Sequence, residues 1–260
     1  MIKMVSLSFA DDLRQMGIVA RNELRKFVRG KKFYVYAALV ALVAVLAVGL
    51  PYLVHMDING ATAWMSTFVS SVGLLVLLGV TLFAASVLVS EFEERTALVL
   101  FTRPIKKASV YIGKFVACFA VTAGLMTVYY LAALAISFAV GGGYPQGTLT
   151  SYLLMLTYTF ALTGIAVLFS SFIKKAGTAA IMTFIVILLI LPLIYVAVAV
   201  AMGDGKEAWF ALDYASSGIS SALNIAAGST LNAWRDGLVM LVWGLIPALA
   251  AYWIFQRREL

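Results

Sequence analysis

The side chains best able to take part in chemistry lie in one charged stretch, residues 90–114, between two long apolar runs. A short apolar piece, residues 97–101, lies in its middle. Pro104 then stops a helix, because proline has no N–H and its ring clashes with the preceding turn. Acids at a helix start and bases at its end suit the helix dipole, so we expect a short surface helix over residues 92–102. A solvated charged loop is the alternative. The charges are Glu91, Glu93, Glu94, Arg95, Arg103, Lys106 and Lys107.

Other reactive side chains are isolated along the chain. His55 is the single histidine, and the single cysteine, Cys118, lies inside an apolar run, so we expect neither a metal site nor a disulfide framework. Residues 203–206 read GDGK and lack the spacing of a phosphate-binding loop. Any nucleotide hydrolysis must therefore belong to a partner.

Composition indicates an all-α integral membrane protein. Hydrophobic residues make up 63% of the 260 and charged residues 12%, whereas soluble domains have about 45–50% and about 25%. A helical span needs about 20 apolar residues, so the chain holds about six spans and no separate soluble domain. We expect one transmembrane domain over residues 1–260, with spans at residues 33–54, 64–89, 114–140, 151–172, 178–202 and 237–255.

Two amphipathic segments accompany these spans. Residues 1–32 form a cytoplasmic segment whose helix has an apolar arc and an opposite basic face, which is typical of a helix lying in the membrane interface. Residues 203–233 are too polar to span and too apolar for a solvated loop, so we expect short helices there, at the outer face or dipping into the membrane. The basic face of the first segment consists of Arg14, Arg21, Arg25 and Arg29.

Polar residues inside the spans are few. Thr67, Ser70 and Ser71 share helical spacing near the start of the second span, and they either permit close helix packing or line a polar path. The interiors of the six predicted spans contain no Asp, Glu, Lys, Arg or His, whereas ion-coupled carriers and intramembrane hydrolases need such groups. Energy for uphill transport must therefore come from outside the bilayer, and the charged stretch between spans two and three is where it would enter.

The distribution of bases predicts the orientation. With six spans, 17 of the 19 Lys and Arg residues fall on one side, and Lys206 and Arg235 on the other. The positive-inside rule then places both termini and the charged stretch in the cytoplasm of a multi-pass cell-membrane protein. The same clustering beside spans explains the net charge of +7 without a nucleic-acid partner.

The chain resembles the membrane subunit of an ABC-2-type transporter. The shared features are an amphipathic elbow helix before span one, six spans, short re-entrant helices between spans five and six, and an ordered set of residues after span two. Where the family often has Gly before the Thr of that set, this chain has Arg95. The ordered set is Glu91, Glu94, Thr96, Pro104, Lys107, Gly113 and Lys114.

The resemblance implies an exporter that works by alternating access. Two such permease subunits, identical or related, would pair in the lipid membrane above two separate ATPase subunits, which bind ATP and magnesium, so this chain would hold no cofactor and catalyse nothing. Residues 90–113 would form the coupling segment, and spans two and five would line the path, which gives Thr67, Ser70 and Ser71 a role. The coupling residues would be Glu91, Glu94, Thr96, Arg103, Pro104, Lys107 and Lys114.

Other classes of function remain open at this point. A six-span membrane anchor could use the same charged helix to recruit a cytoplasmic protein without moving anything. An intramembrane enzyme is a poor fit because polar catalytic residues are missing from the spans, and a channel is a poor fit because no ring of charges or filter-like loop is seen. The residues do not identify a substrate.

Overall fold

The computed structural model describes residues 9–55, 58–90, 106–203, 207–227 and 232–257. Within these residues the secondary structure is helical and no strand occurs, which confirms the predicted all-α fold. The α-helices are α1 (Phe9–Arg29), α2 (Lys31–Leu53), α3 (Ala61–Val69), α4 (Val72–Phe83), α5 (Lys107–Gly141), α6 (Thr148–Phe172), α7 (Ala176–Ile185), α8 (Leu191–Met202), α9 (Leu212–Ser221) and α10 (Ala233–Arg257).

Six helical stretches in the described part are long and apolar enough to cross a membrane. Helices α2, α5, α6 and α10 are each one stretch, α3 and α4 together form the second, and α7 and α8 together form the fifth. The second stretch ends at Phe83 rather than at residue 89, and the third begins at Lys107 rather than at residue 114. The apolar pattern therefore predicts the number of such helices, and these two helix ends differ from the predicted span bounds.

The two ends of the helical bundle differ in what they carry. At one end, here called the α1 end, the first residues of α5 lie against α1 and against the last residues of α10. At the other, the α9 end, Ser137 near the end of α5 donates to the carbonyl of Ala61 at the start of α3. Gly142 follows α5 there with a left-handed φ of 74°, which suits glycine after a helix.

The core is centred on α6, which packs most extensively against α10. At their crossing Gly164 faces the carbonyl of Gly244, and a Cβ on Gly244 would lie 2.9 Å from the Cα of Ala161. Small residues let helix backbones approach closely in a membrane, where apolar attraction between helices is weak. Elsewhere in the core, the Tyr36 ring of α2 lies over Gly79 of α4.

The second span is interrupted once, between α3 and α4. Between α3 and α4, the Ser71 N–H bonds to the Phe68 carbonyl and not to the Thr67 carbonyl, its partner in a regular helix. The Ser70 hydroxyl donates to the Thr67 carbonyl instead. Residues 84–88 then form turns after α4. Local hydroxyl groups thus satisfy backbone groups that a regular helix would pair, which a span requires where no water is available.

The fifth span contains a π-helical turn, Val186–Ile190, directly before Pro192. Proline removes one helical N–H and its ring crowds the carbonyl four residues earlier, so a wider turn at that position accommodates it. This span is also the least embedded in the chain: no residue of α8 is buried. The structure thus pairs the proline inside this span with a widened turn.

Candidate coupling site

Both ends of the charged stretch enter the described structure, although its middle does not. Residues 91–105 lie outside the described residues, and with them the predicted surface helix. Lys107 and Lys114 lie on the first three turns of α5. The predicted coupling residues outside the described part are Glu91, Glu94, Thr96, Arg103 and Pro104.

Lys114 forms an ion pair that joins α5 to α1. Its Nζ lies 2.6 Å from Oε1 of Glu23, and the two side chains are 3% and 13% exposed. A buried charge is costly unless it is paired, so these two residues depend on each other. The lysine that sequence analysis assigns to ATPase coupling therefore points into the junction between α5 and α1 rather than to the surface.

A glycine next to this pair lets the two helices meet. A Cβ at Gly113 would lie 2.8 Å from Cβ of Val19 and 2.9 Å from the carbonyl oxygen of Met16, so any larger residue would push α1 away. Two turns earlier, Lys106 pairs with Asp12 at 2.6 Å, with the lysine side chain 47% exposed. Gly113 and Lys114, at the start of the third span, therefore hold α1 in contact with α5.

The same head of α5 is also joined to the last span. The Tyr111 hydroxyl donates to the Ala248 carbonyl of α10 at 2.6 Å, and its ring packs 5.4 Å from that of Tyr252. Lys107 donates to the carbonyl of Gln256 near the end of α10. The residues that follow the charged stretch therefore contact both α1 and α10.

The residues that precede the charged stretch are held by α6 instead. Ser170 Oγ accepts two backbone N–H groups, from Leu88 at 2.9 Å and from Val89 at 3.2 Å. Because this turn is not helical, those groups lack helical partners, and the serine satisfies both. Lys32 of α2 donates to Ser86 in the same turn at 3.2 Å.

The predicted elbow residues all lie on one exposed face. Arg14, Arg21, Arg25 and Arg29 are exposed, whereas Glu23 lies on the face turned toward α5. The apolar arc of α1 is divided, because two of its residues, Leu13 and Val28, are exposed. Contact of this basic face with lipid head groups stays a prediction.

The three residues predicted to line the path differ in burial and in hydrogen-bond partners. Ser71 is held against α5 by a 2.7 Å hydrogen bond with the Tyr129 hydroxyl. Ser70 is exposed, Thr67 is partly buried, and the hydroxyl groups of both donate to carbonyls of the same helix. Close packing therefore accounts for Ser71, while a path-lining role stays a prediction for Thr67 and Ser70.

Sequence reasoning missed the partners of this site. Glu23 and Ser170 are separated by 91 and 82 residues from the groups they bind, and a single sequence carries no signal for such pairs. One local signal did exist: Glu23 is an acid on a helix whose other face is strongly basic. No group of three metal-ligating side chains converges anywhere in the described residues.

Comparison with known proteins agrees with this architecture. A search of curated proteins gave no match. The family model described as ABC-2 family transporter protein matches residues 18–260, from the middle of α1 to the C-terminal residue. A match over nearly the whole length, on a chain with six helices able to span a membrane, makes this a multi-pass membrane protein that belongs to the ABC-2 transporter family.

Proposed function

We propose that this chain is the permease subunit of an ATP-driven exporter, with the hydrolysis of ATP performed by a separate subunit. The observation that carries the proposal is that the two ends of residues 91–105 are attached to different helices. The preceding turn is bound to α6 through Ser170, and the following helix is bound to α1 through Lys114 and to α10 through Tyr111. A displacement of this segment would therefore be transmitted to α1, α6 and α10, which make up much of the bundle.

The α1 end is the cytoplasmic end in this proposal. It carries the basic face of α1, the Lys107 end of α5 and Arg257 near the end of α10, which is the distribution that the positive-inside rule requires of a cytoplasmic side. A soluble ATPase would bind there, at residues 90–113. A second permease subunit would complete the path, and closure of the ATPase pair would drive alternating access.

Within this scheme Lys114 acts through α1 and not by touching the ATPase. A push on the coupling segment would move the head of α5, and the buried pair with Glu23 would move α1 with it. The elbow helix and the third span would then travel as one body.

The experiment is a mild-detergent pull-down of the tagged chain from its own membranes, followed by identification of the co-purifying proteins and an ATPase assay. We expect a soluble ATPase in about equal amount. Glu94→Lys and Leu98→Pro should abolish its binding or its coupling to transport while the chain still inserts in the membrane. Glu93→Lys makes the same charge change one position away and serves as the control.

Two results would contradict the proposal. If no protein that hydrolyses ATP binds, the chain is better explained as a membrane anchor that recruits another cytoplasmic partner. If the ATPase binds but both coupling variants transport at the normal rate in vesicles, the assignment of the coupling segment is wrong. Stimulation of the ATPase by a transported substrate would separate a transporter from an anchor.

A further inference from the structure

A half-open pocket lies where α5 and α6 meet the loop that joins them. Its volume is about 420 Å³, and its ten lining residues come from residues 127–134 of α5 and from residues 144–152 of the loop and α6. Leu131 on one wall and Leu149 on the other are 61% and 68% exposed. The pocket therefore opens sideways from the bundle and not into its core.

The tyrosines of this pocket have used their hydroxyl hydrogens within the protein. The Tyr130 hydroxyl is hydrogen-bonded to Ser151 at 3.1 Å, and the Tyr152 hydroxyl to Thr127 at 3.0 Å. Ser151 and Thr127 both donate to backbone carbonyls, so the tyrosines are the donors in these two bonds. The two rings meet edge to face with centroids 5.6 Å apart. The pocket thus presents ring carbon and aliphatic carbon to an occupant, which suits hydrocarbon.

The polar groups available to an occupant lie at one end of the pocket. Tyr144 and Gln146 of the loop are exposed, and none of the ten lining residues carries a charge. The other end reaches Thr127, seven residues before Leu134, which corresponds to about 10 Å along α5. An occupant that matches this pattern has a polar group beside the loop and an apolar tail that extends along the helices.

The surroundings and the volume of the pocket narrow the choice of occupant. Both α5 and α6 are long and apolar enough to cross a membrane, so a pocket that opens sideways between them faces lipid tails. An apolar cavity of about 150 Å³ holds one benzene molecule, so about 420 Å³ holds on the order of 16 carbon atoms. This is the size of one acyl chain of a membrane lipid.

A second copy of the chain suits the pocket less well. A stable protein interface takes about 20–30 residues on each side, whereas ten residues line this pocket. A single inserted side chain, even tryptophan, is much smaller than the pocket and would leave part of its wall without contacts.

We propose that this pocket is a binding site for one acyl chain of a membrane phospholipid, with the head group beside Tyr144 and Gln146. In a bilayer the chain leaves one apolar environment for another, so its stabilisation comes from packing against fixed walls and from hydrogen bonds of the head group. The lining residues are uncharged, so the site should not select the charge of the head group. The inference depends on the membrane location of the chain and not on its role in transport.

The first test counts the lipids retained by the purified full chain, using native mass spectrometry after exchange into mild detergent. The chain would be supplied with equal amounts of phosphatidylcholine and phosphatidylglycerol that carry the same acyl chains. Leu131→Trp and Leu149→Trp place a ring in the pocket from opposite walls, and each should lower the retention of one lipid about tenfold. Val128→Trp is the control, because Val128 is on the same helix, is 60% exposed and does not line the pocket.

The identity of the lost lipid is part of this test. The lipid that the two pocket variants lose should be phosphatidylcholine and phosphatidylglycerol in about equal amounts. Lipid bound to the basic face of α1 would instead be phosphatidylglycerol, and all three variants should retain it.

The second test locates the lipid in a bilayer. A phosphatidylcholine with a diazirine group in one acyl chain would be photolysed with the chain in nanodiscs, and the labelled peptides identified. We expect several-fold more label in residues 127–134 and 144–152 than around Val45 of α2, which is 67% exposed.

Three results would overturn the proposal. Equal labelling of the pocket and of α2 would mean that only freely exchanging lipid enters it. Unchanged lipid retention in both pocket variants would mean that the pocket holds no bound chain. A change in the oligomeric state of Leu131→Trp, seen as a change in mass without loss of lipid, would assign the pocket to a contact between copies.

Discussion

The buried pair between Lys114 and Glu23 gives the sharpest prediction for stability. We would replace Glu23 by Gln, Lys114 by Met, and both together. At a separation of 2.6 Å and an effective dielectric constant of about 20, the attraction between the two charges is about 6 kcal/mol before the loss of hydration is subtracted. Removal of either partner breaks the 2.6 Å ion pair between two largely buried side chains, which costs about 3 kcal/mol.

The double variant should lose less stability than the sum of the two single variants. We expect a coupling energy of about 2 kcal/mol, because in the double variant no charge remains buried without a partner. The free energy of unfolding would be measured by titration with sodium dodecyl sulfate in mixed micelles, with tryptophan fluorescence as the signal. Both α1 and α5 must separate in this unfolding, so the pair contributes fully to the measurement.

The chain supplies a matched control for this cycle. Asp12 and Lys106 join the same two helices at the same 2.6 Å, but the side chain of Lys106 is 47% exposed. Exposed pairs contribute about 0–1 kcal/mol because water screens the charges. If the coupling energy of the buried pair does not exceed that of Asp12 with Lys106, burial does not strengthen the junction and our account of it is refuted.

Three further substitutions test the backbone contacts. Gly113→Ala should destabilise the chain and loosen α1, because the new methyl group would lie 2.8 Å from a side chain of α1. Gly124→Ala, in open space, is the control and should be neutral or slightly stabilising. Thermal denaturation of the two variants measures the difference. Ser170→Ala should cost about 1–3 kcal/mol of unfolding free energy by leaving two N–H groups without an acceptor, and Ser171→Ala, whose hydroxyl bonds only within its own helix, should cost less. Gly164→Ala should impair folding, measured as the monodisperse fraction on gel filtration, because its methyl group would overlap the backbone of α10.

Much of the fold is predictable from the sequence, because it depends on a local property. A stretch of about 20 apolar residues has few alternatives to a helix across a membrane, since each backbone polar group must be satisfied within the segment. The number of spans therefore follows from hydropathy alone. The amphipathic period of α1 is equally local, and the helix is found at Phe9–Arg29.

The ends of the spans around the charged stretch are less predictable. The apolar run continues to residue 89, yet the helix of the second span ends at Phe83, because the turn that follows obtains its hydrogen bonds from Ser170 on another helix. The same limit applies to Lys114, whose position at the head of a span suggests a surface residue until its partner on α1 is known. Contacts between distant parts of the chain decide both cases.

Depth is a further property that hydropathy does not report. Residues 203–233 are predicted from the sequence to form short helices at the outer face or dipping into the membrane, but hydropathy does not show how far they extend along the spans. The contacts of α9 with Ser151 and of Phe210 with Trp243 show how far this segment runs alongside the spans. Although the predicted spans contain no Asp, Glu, Lys, Arg or His, the segment that carries Asp213 runs alongside them.

The irregular turns of the second and fifth spans have a mechanical consequence. An unbroken helix such as α6 transmits a displacement along its whole length, whereas a span that is interrupted can change its angle at the interruption. The second span has such a break at Ser70 and Ser71, and the fifth has its π-helical turn before Pro192. A push that enters beside Ser170 would move α6 as a rigid body, and the α3 part of the second span would follow α5, to which Ser71 is bonded. We therefore expect the relative motion during transport to occur at these two breaks, between a rigid α5–α6–α10 core and the two spans that bend against it.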